Sequence, residues 1–150
     1  MKFEQLFLNA KYICASTEYY TPYVRKAFCI NKKVKKATLT VSALGFCEIY
    51  LNGNLVNDDL YVTPYSQFCK PDVFDVNDLR MDDDFFSDDL GFTVYASVYD
   101  LTKWLRQGKN AIGFILSGGW FRSGNDKSGN YQNYGKTATC FKIDLEYHNQ

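Results

Sequence analysis

The sequence predicts an all-β fold, an antiparallel β-sandwich of jelly-roll type with one short helical turn near residues 101–107. Three observations support this prediction. Apolar and polar residues alternate along several segments, which is the period of a strand that buries one face. Tyrosine and phenylalanine number 12 each among 150 residues, and aromatic side chains favour strands. No segment carries the apolar period of a long helix, so we count about eight strands packed as two sheets.

The first two strands are predicted at residues 11–15 and 24–30. Lys26 interrupts the apolar side of the second strand, and charged residues at such positions are typical of edge strands. Residues 31–36 include four lysines, and we expect a solvated turn there.

The clearest alternation lies between residues 37 and 51, with Gly45 as an interruption. One side of the first half is apolar: Ala37, Leu39, Val41 and Ala43. The opposite side is polar: Thr38, Thr40 and Ser42. Cys47, Ile49 and Leu51 resume the apolar side. Asn52-Gly53 follows, and this pair favours a tight hairpin because both turn positions need a positive φ.

The second half of the chain adds further strands at residues 93–99, 111–116 and 141–147. Between the first two of these, Asp100 or Thr102 is a suitable cap for one helical turn. Trp104 and Leu105 supply its buried side, and Gly108 suits a left-handed exit.

Residues 71–91 differ from the rest, because eight aspartates fall between positions 71 and 90. Strands avoid aspartate, so we predict an inserted acidic loop. A bound calcium ion is an alternative that the spacing does not support. In a helix-loop-helix calcium site that begins at Asp82, the sixth position would need glycine, but it is Ser87. We therefore expect no cofactor.

Composition excludes several classes of function. The length suits one domain over residues 1–150. Equal numbers of basic and acidic residues, 17 each, favour neither nucleic acid nor a membrane as partner. The N-terminus lacks the pattern of a secretion signal, which predicts a cytoplasmic protein. The 5 cysteines form no CxxC pair, so we expect reduced thiols, most of them packed as small hydrophobic side chains.

No catalytic residues are predicted. His148 is the sole histidine and lies near the end of the sequence, which argues against a Ser–His or Cys–His pair. Glu48 alternates with apolar residues and is expected to face solvent, and Asp100 is better explained as a cap.

The best binding candidate is the glycine-rich loop at residues 117–137. Aromatic faces and amide or carboxylate groups are typical of sugar-binding loops. The candidate residues are Trp120, Asn125, Asp126, Tyr131 and Tyr134. The alternative for Trp120 is burial in the core, which we favour over stacking on a ligand; Tyr131 and Tyr134 are the better candidates for exposed aromatics.

Four segments of the sequence resemble the N-terminal domain of bacterial α-L-rhamnosidases. They are YVRKAF at residues 23–28, ALGFCEIYLNG at residues 43–53, YDLT at residues 99–102 with Leu105, Gly108 and Asn110, and GWF at residues 119–121. Phe121 stands where the family usually has tyrosine, and the acidic loop is an insertion relative to the family.

The resemblance implies a galactose-binding-like jelly roll that is a non-catalytic part of a glycoside hydrolase. In that family the chemistry belongs to a helical (α/α)6 barrel, which is absent from these 150 residues. The implied partner is that barrel, and the implied ligand is terminal L-rhamnose or a rhamnose-containing glycan. The alternative is a purely structural packing module with no ligand of its own.

Overall fold

The computed structural model of the chain describes residues 6–16, 21–56, 95–119, 121–122 and 135–148. Within these ranges it contains eight strands. Their bounds are β1 Ile13–Cys14, β2 Tyr23–Ile30, β3 Val34–Leu44, β4 Phe46–Leu51, β5 Asn54–Leu55, β6 Ser97–Asp100, β7 Gly108–Ser117 and β8 Ala138–Tyr147.

The strands form two four-stranded sheets. Sheet 1 has the order β1-β8-β3-β6, and sheet 2 has the order β2-β7-β4-β5. All the strand pairs of both sheets are antiparallel. The predicted all-β sandwich is therefore confirmed.

The core lies between the two sheets and is built from the alternating residues of the long strands. Sheet 1 contributes the apolar side of β3 predicted from the sequence, and Leu39 and Val41 are fully buried. Sheet 2 contributes the matching side of β4 and β7, including Ile49 and Ile112. The rings of Phe114 and Phe141 are 4.8 Å apart between centroids, and Phe114 is in sheet 2 while Phe141 is in sheet 1. Apolar burial on both inner faces is thus what joins the sheets.

Two local predictions are confirmed at the margins of sheet 2. β2 is an edge strand, and Lys26 is exposed on the side where its neighbours are apolar. Asn52 and Gly53 have φ values of 52° and 85°, and Leu51 pairs with Asn54 across them. The hairpin turn therefore has the two positive φ angles that the Asn-Gly pair predicts.

The predicted helical turn follows β6. The amides of Trp104 and Leu105 both donate to the carbonyl of Leu101, at 3.0 and 3.2 Å. The amide of Thr102 donates to Oδ1 of Asp100 at 2.8 Å, so Asp100 is the cap. The side-chain hydrogen bond with Thr102, followed by this backbone bond, lowers the pKa of Asp100. Gly108 has a φ of 97° where β7 begins.

Two expectations about β3 were wrong. The strand begins at Val34, with a register shift between Val34 and Lys36, so the preceding turn is shorter than residues 31–36. The polar side of the strand is also covered, because Thr40 and Ser42 are only 5% and 1% exposed. Ser42 Oγ lies 2.9 Å from the hydroxyl of Tyr12 and donates to the carbonyl of Tyr95 at 2.9 Å. Segments on either side of the strand therefore cover its outer face.

The cysteines divide into two kinds. Cys47 and Cys140 are buried, as predicted, whereas Cys14 and Cys29 are exposed. Burial raises the pKa of the Cys47 thiol to about 12 and that of Cys140 to about 11. The prediction that most cysteines pack as small hydrophobic residues is thus wrong for Cys14 and Cys29, while Cys69 lies outside the described residues.

The acidic segment at residues 71–91 also lies outside the described residues. Within the described ranges, no helix has the length and apolar character needed to cross a membrane.

Candidate functional site

The five predicted sugar-binding residues lie outside the part of the chain that the structure describes. They are Trp120, Asn125, Asp126, Tyr131 and Tyr134. Within the predicted loop at residues 117–137, Phe121 is only 6% exposed, and its amide donates to the carbonyl of Gly118 at 3.0 Å. The predicted sugar site stays a prediction.

The described residues contain a different candidate, a groove on the outer face of sheet 2 with a volume of about 740 Å³. Ligand pockets in proteins typically measure roughly 300–1,000 Å³. Its floor is made of the small residues Ala27, Ala111 and Gly113. Ala27 pairs with Ala111 in the register of β2 and β7, so the floor crosses two neighbouring strands.

One row of paired residues explains the shape of the groove. Gly113 pairs with Arg25 on β2 and with Tyr50 on β4. Neighbouring strands are about 4.8 Å apart, so the backbones of Arg25 and Tyr50 stand roughly 10 Å from each other. Gly113 has no side chain to fill the space between them, and the groove is therefore open along its centre.

Cationic side chains dominate the polar part of the groove. Arg25, Arg106 and Lys109 all line it and all are exposed. The acidic side chains of the described ranges are Glu48, Asp100, Asp144 and Glu146, and none of these four lines the groove. The groove therefore carries positive charge at neutral pH.

The position of Arg106 is fixed by Asn110, which is only 3% exposed. The Asn110 side chain accepts from the amide of Arg106 at 3.0 Å and donates to the carbonyl of Arg106 at 2.7 Å. Both ends of the asparagine amide hold the same backbone unit, so the loop before β7 has little freedom. The consequence is that Arg106 leaves the backbone at a defined point beside the groove.

Tyr50 forms the aromatic side of the groove, and its hydroxyl donates to Oε2 of Glu48 at 3.0 Å. This hydrogen bond is the main reason that the pKa of Tyr50 is raised. Through this hydrogen bond the ring orientation of Tyr50 is coupled to Glu48.

The described residues offer little for acid–base or metal chemistry. Glu48 is exposed as predicted, Asp100 caps the turn after β6 as predicted, and the two residues belong to different sheets. Among the described residues there is no cluster of three or more histidine, cysteine, aspartate or glutamate side chains that could hold a metal ion. What the groove can do chemically is bind a ligand.

Sequence reasoning missed the groove, although a signal was present. The solvent-facing positions of β7 include Ala111 and Gly113, which have little or no side chain. Small residues in a row on the outer side of a strand indicate room for a ligand or for another backbone. Alternation identifies the buried side of a strand, but it does not give the registers of β2 and β4 that place Arg25 and Tyr50 beside Gly113.

The fold and the groove define the class of the protein, a β-sandwich of jelly-roll type with a ligand-sized groove on one outer face. Comparison with known proteins then shows which family the chain resembles. A family model described as "Alpha-L-rhamnosidase N-terminal domain" matches residues 87–150. The resemblance to the N-terminal domain of α-L-rhamnosidases is thus confirmed.

Curated relatives agree with the family model. An α-L-rhamnosidase from Formosa agariphila is 29% identical over 99 residues, which is 66% of this chain and 8% of that protein. An α-L-rhamnosidase from Streptomyces avermitilis is 26% identical over 117 residues, which is 78% of this chain and 9% of that protein. The chain thus spans less than a tenth of either relative and corresponds to a small part of each.

Solved structures show the same relationship. The chain is 27% identical to an α-L-rhamnosidase from Dictyoglumus thermophilum, with a TM-score of 0.60 over 93% of this chain and 14% of that one. An α-L-rhamnosidase from Aspergillus terreus gives a TM-score of 0.70 at 20% identity, over 97% of this chain and 15% of that one. Because its identity is only 20%, this second match shows that the fold is shared and no more.

Proposed function

We propose that this chain is a non-catalytic accessory domain of an α-L-rhamnosidase that supports the catalytic (α/α)6 barrel. The observation that carries the proposal is the alignment with relatives of that activity over only 8–9% of their length. A segment that is so small a part of an enzyme contributes through contacts with the rest of it.

The surface of the sandwich supports a role in contacts between domains. Val98 is 61% exposed and lies on β6, an edge strand of sheet 1. Tyr23 is 73% exposed and lies on β2, an edge strand of sheet 2. Apolar side chains at sheet edges gain stability when a neighbouring domain covers them.

Recognition of terminal L-rhamnose by residues 117–137 is the finer form of this proposal. It is supported by the composition of that loop and by the activity of the relatives. The loop's candidate residues lie outside the described ranges.

The test compares the gene product that contains this chain with a form that lacks residues 1–150. We expect the deletion to lower the melting temperature and the soluble yield of the remaining enzyme. The kcat on 4-nitrophenyl α-L-rhamnopyranoside should be kept by the molecules that fold. An unchanged melting temperature and yield would overturn the supporting role, and loss of kcat in a fully folded deletion form would overturn the non-catalytic role.

A control variant keeps the domain but alters its exposed edge. Val98→Lys adds a charge where the apolar side chain is exposed and should not change the fold of the sandwich itself. A lower melting temperature of the longer enzyme, with no change in the isolated 150-residue chain, would assign the loss to the contact between domains.

A further inference from the structure

We propose that the groove on the outer face of sheet 2 is a binding site for an acidic saccharide, with Arg25, Arg106 and Lys109 as the anion-binding residues and Tyr50 as the aromatic side. The proposal rests on the proposed function only in taking the ligand to be a saccharide. It differs from the predicted rhamnose site in its residues and its ligand, because the described residues that line this groove lie within 25–29, 50–53 and 106–113.

The charge of the lining residues is the first argument. In the part of the chain that the structure describes, the side chains of Arg25, Arg106 and Lys109 have no ion-pair partner. Guanidinium and ammonium groups donate hydrogen bonds and accept none. Three unpaired cations around one groove therefore select a ligand rich in negatively charged acceptors, such as a carboxylate or a sulfate ester.

The neutral polar groups of the lining are already occupied. The Asn52 amide donates to the carbonyl of Trp104 and to Oδ1 of Asn110, both at 2.9 Å, and its oxygen accepts from the amide of Ala111 at 3.0 Å. Asn110 uses its side chain on the backbone of Arg106 and Gly108. These amides hold the walls of the groove and are not available for sugar hydroxyls, so a neutral sugar would find few partners.

The shape of the groove is the second argument. The floor of Ala27, Ala111 and Gly113 lies beside the ring of Tyr50, and aromatic rings pack on the C–H groups of sugars. A volume of about 740 Å³ exceeds what a small inorganic anion would fill. The combination of a flat, small-residue floor, an aromatic side and cations at the margin fits a short stretch of a glycan that carries acidic groups.

Gly113 provides a sharp test of the site. It has no positive φ, and a Cβ placed on it would meet only the carbonyl oxygen of Val24, at 3.7 Å, which is ordinary contact. A valine at this position therefore suits the strand and fills the groove between Arg25 and Tyr50. Gly113→Val should leave the melting temperature within a few degrees of the original and remove binding.

The experiment titrates the 150-residue chain with trigalacturonate and with the neutral trisaccharide galactotriose, at low salt, followed by calorimetry and by NMR of the backbone amides. We expect trigalacturonate to bind at least ten times more tightly than galactotriose and to shift the amides of β2 and β7 around the groove. Sodium sulfate alone should bind more weakly than trigalacturonate, since it does not contact the floor.

A charge-matched pair of variants distinguishes binding in the groove from general electrostatic attraction to the protein. Arg106→Ala removes a cation of the groove, and Lys35→Ala removes an exposed cation that does not line it. We expect Arg106→Ala to weaken binding about tenfold through lost charge-assisted hydrogen bonds, and Lys35→Ala to weaken it less than about twofold through screened attraction. This pair also decides the question if Gly113→Val does not fold.

Four results would overturn the proposal. The first is no binding of trigalacturonate up to 10 mM, a concentration far above the Kd of specific sites, and the second is equal binding of galactotriose. The third is an equal loss of affinity in Arg106→Ala and Lys35→Ala. The fourth is amide shifts confined to residues away from β2 and β7. Each of these leaves the deletion experiment on the longer enzyme unaffected, so failure of the groove and failure of the accessory role are distinguishable.

Discussion

The side chains of Asn52 and Asn110 are directly hydrogen-bonded, with Nδ2 of Asn52 donating to Oδ1 of Asn110 at 2.9 Å. Asn52 belongs to the hairpin turn between β4 and β5, and Asn110 belongs to the beginning of β7. Through this bond the hairpin is connected to the loop that carries Trp104 and Arg106. The two asparagines thus join the segments that form one end of the groove.

Removing the Asn110 amide should destabilise the fold strongly. Asn110→Ala leaves the amide of Arg106 and the carbonyls of Arg106 and Gly108 without their side-chain partner. Buried polar groups that lose a partner cost about 1–3 kcal/mol, so we expect a loss of about 3 kcal/mol in the free energy of unfolding. Urea denaturation followed by circular dichroism measures it.

The control for this variant is Asn54→Ala. The Asn54 amide is exposed, and its contacts with the carbonyls of Leu51 and Asn52 are long, at 3.4 and 3.5 Å. We expect a change below about 0.5 kcal/mol. Equal losses in the two variants would show that the network around Asn110 does not hold the loop.

Asn52→Gly isolates the side chain of Asn52 from its backbone. Asn52 has a φ of 52°, and glycine adopts this conformation without strain. The stability lost in Asn52→Gly therefore reports only on the hydrogen bonds of the Asn52 side chain. In a double-mutant cycle with Asn110→Ala the losses should be less than additive, because both variants break the same bond; strict additivity would contradict a shared network.

Two turn glycines should differ in their tolerance of alanine. Gly45 has a φ of 104° between β3 and β4, and a Cβ there would overlap the carbonyl oxygen of Ser117. Gly53 also has a positive φ, 85°, but a Cβ there would meet open space. We expect Gly53→Ala to cost about 1 kcal/mol from φ alone and Gly45→Ala to cost more than about 3 kcal/mol, since backbone strain and overlap add.

Thermal denaturation of both alanine variants checks this difference. A smaller loss for Gly45→Ala than for Gly53→Ala would mean that the close approach of Gly45 to Ser117 is absent from the folded protein.

The covered outer face of β3 can be tested at Tyr12. Its hydroxyl lies 2.9 Å from Oγ of Ser42, and burial is the main reason that its pKa is raised. Tyr12→Phe removes the hydroxyl with little change of shape and should lower the free energy of unfolding by about 1 kcal/mol.

Tyr23→Phe is the matched control, because Tyr23 is 73% exposed and its loss should be within about 0.5 kcal/mol. The raised pKa of Tyr12 adds a dependence of stability on pH. Tyr12 favours the folded state below its usual pKa of 10.0, and this contribution should fade as the pH rises further. If Tyr12→Phe costs no more stability than Tyr23→Phe at any pH, the N-terminal segment does not cover the outer face of β3.

The cysteines should differ in reactivity. The thiolate is the nucleophile, and the thiol of Cys47 ionises only at about pH 12 in the folded state. In a Cys69→Ser background, brief alkylation at pH 8 should modify the exposed Cys14 and Cys29 and leave the buried Cys47 and Cys140 unmodified until urea is added. Peptide mass spectrometry identifies the sites.

The raised pKa of Cys47 also determines how this residue's contribution to folding stability depends on pH. An unfolded thiol ionises near pH 9.0, so Cys47 favours the folded state below that pH. Its contribution is lost as the pH rises from about 9 towards 12. Rapid alkylation of Cys47 in the native protein at pH 8 would contradict its burial.

Most of the fold was accessible from the sequence because the alternation specifies which face of each long strand is buried. Leu39, Val41 and Ile49 are all in the core, and the Asn52-Gly53 turn adopts its predicted conformation. The coverage of Thr40 and Ser42 was not accessible, because it depends on segments distant along the chain, as the contact of Tyr12 with Ser42 shows.

The groove could not be derived for the same physical reason. Arg25, Gly113 and Tyr50 are widely separated in sequence, and only the registers of β2, β7 and β4 bring them into one row. Alternation tells which side of a strand faces solvent, but it does not tell which residues are neighbours on that side. Aromatic and amide-rich loops are conspicuous in a sequence, whereas a gap made by glycine and alanine is not.

The most direct test of the non-catalytic accessory role is a turnover assay of the purified 150-residue chain on 4-nitrophenyl α-L-rhamnopyranoside. We expect no release of nitrophenol above the buffer rate at any protein concentration. Release that rises in proportion to the amount of chain, and that disappears when the sandwich is unfolded, would contradict it.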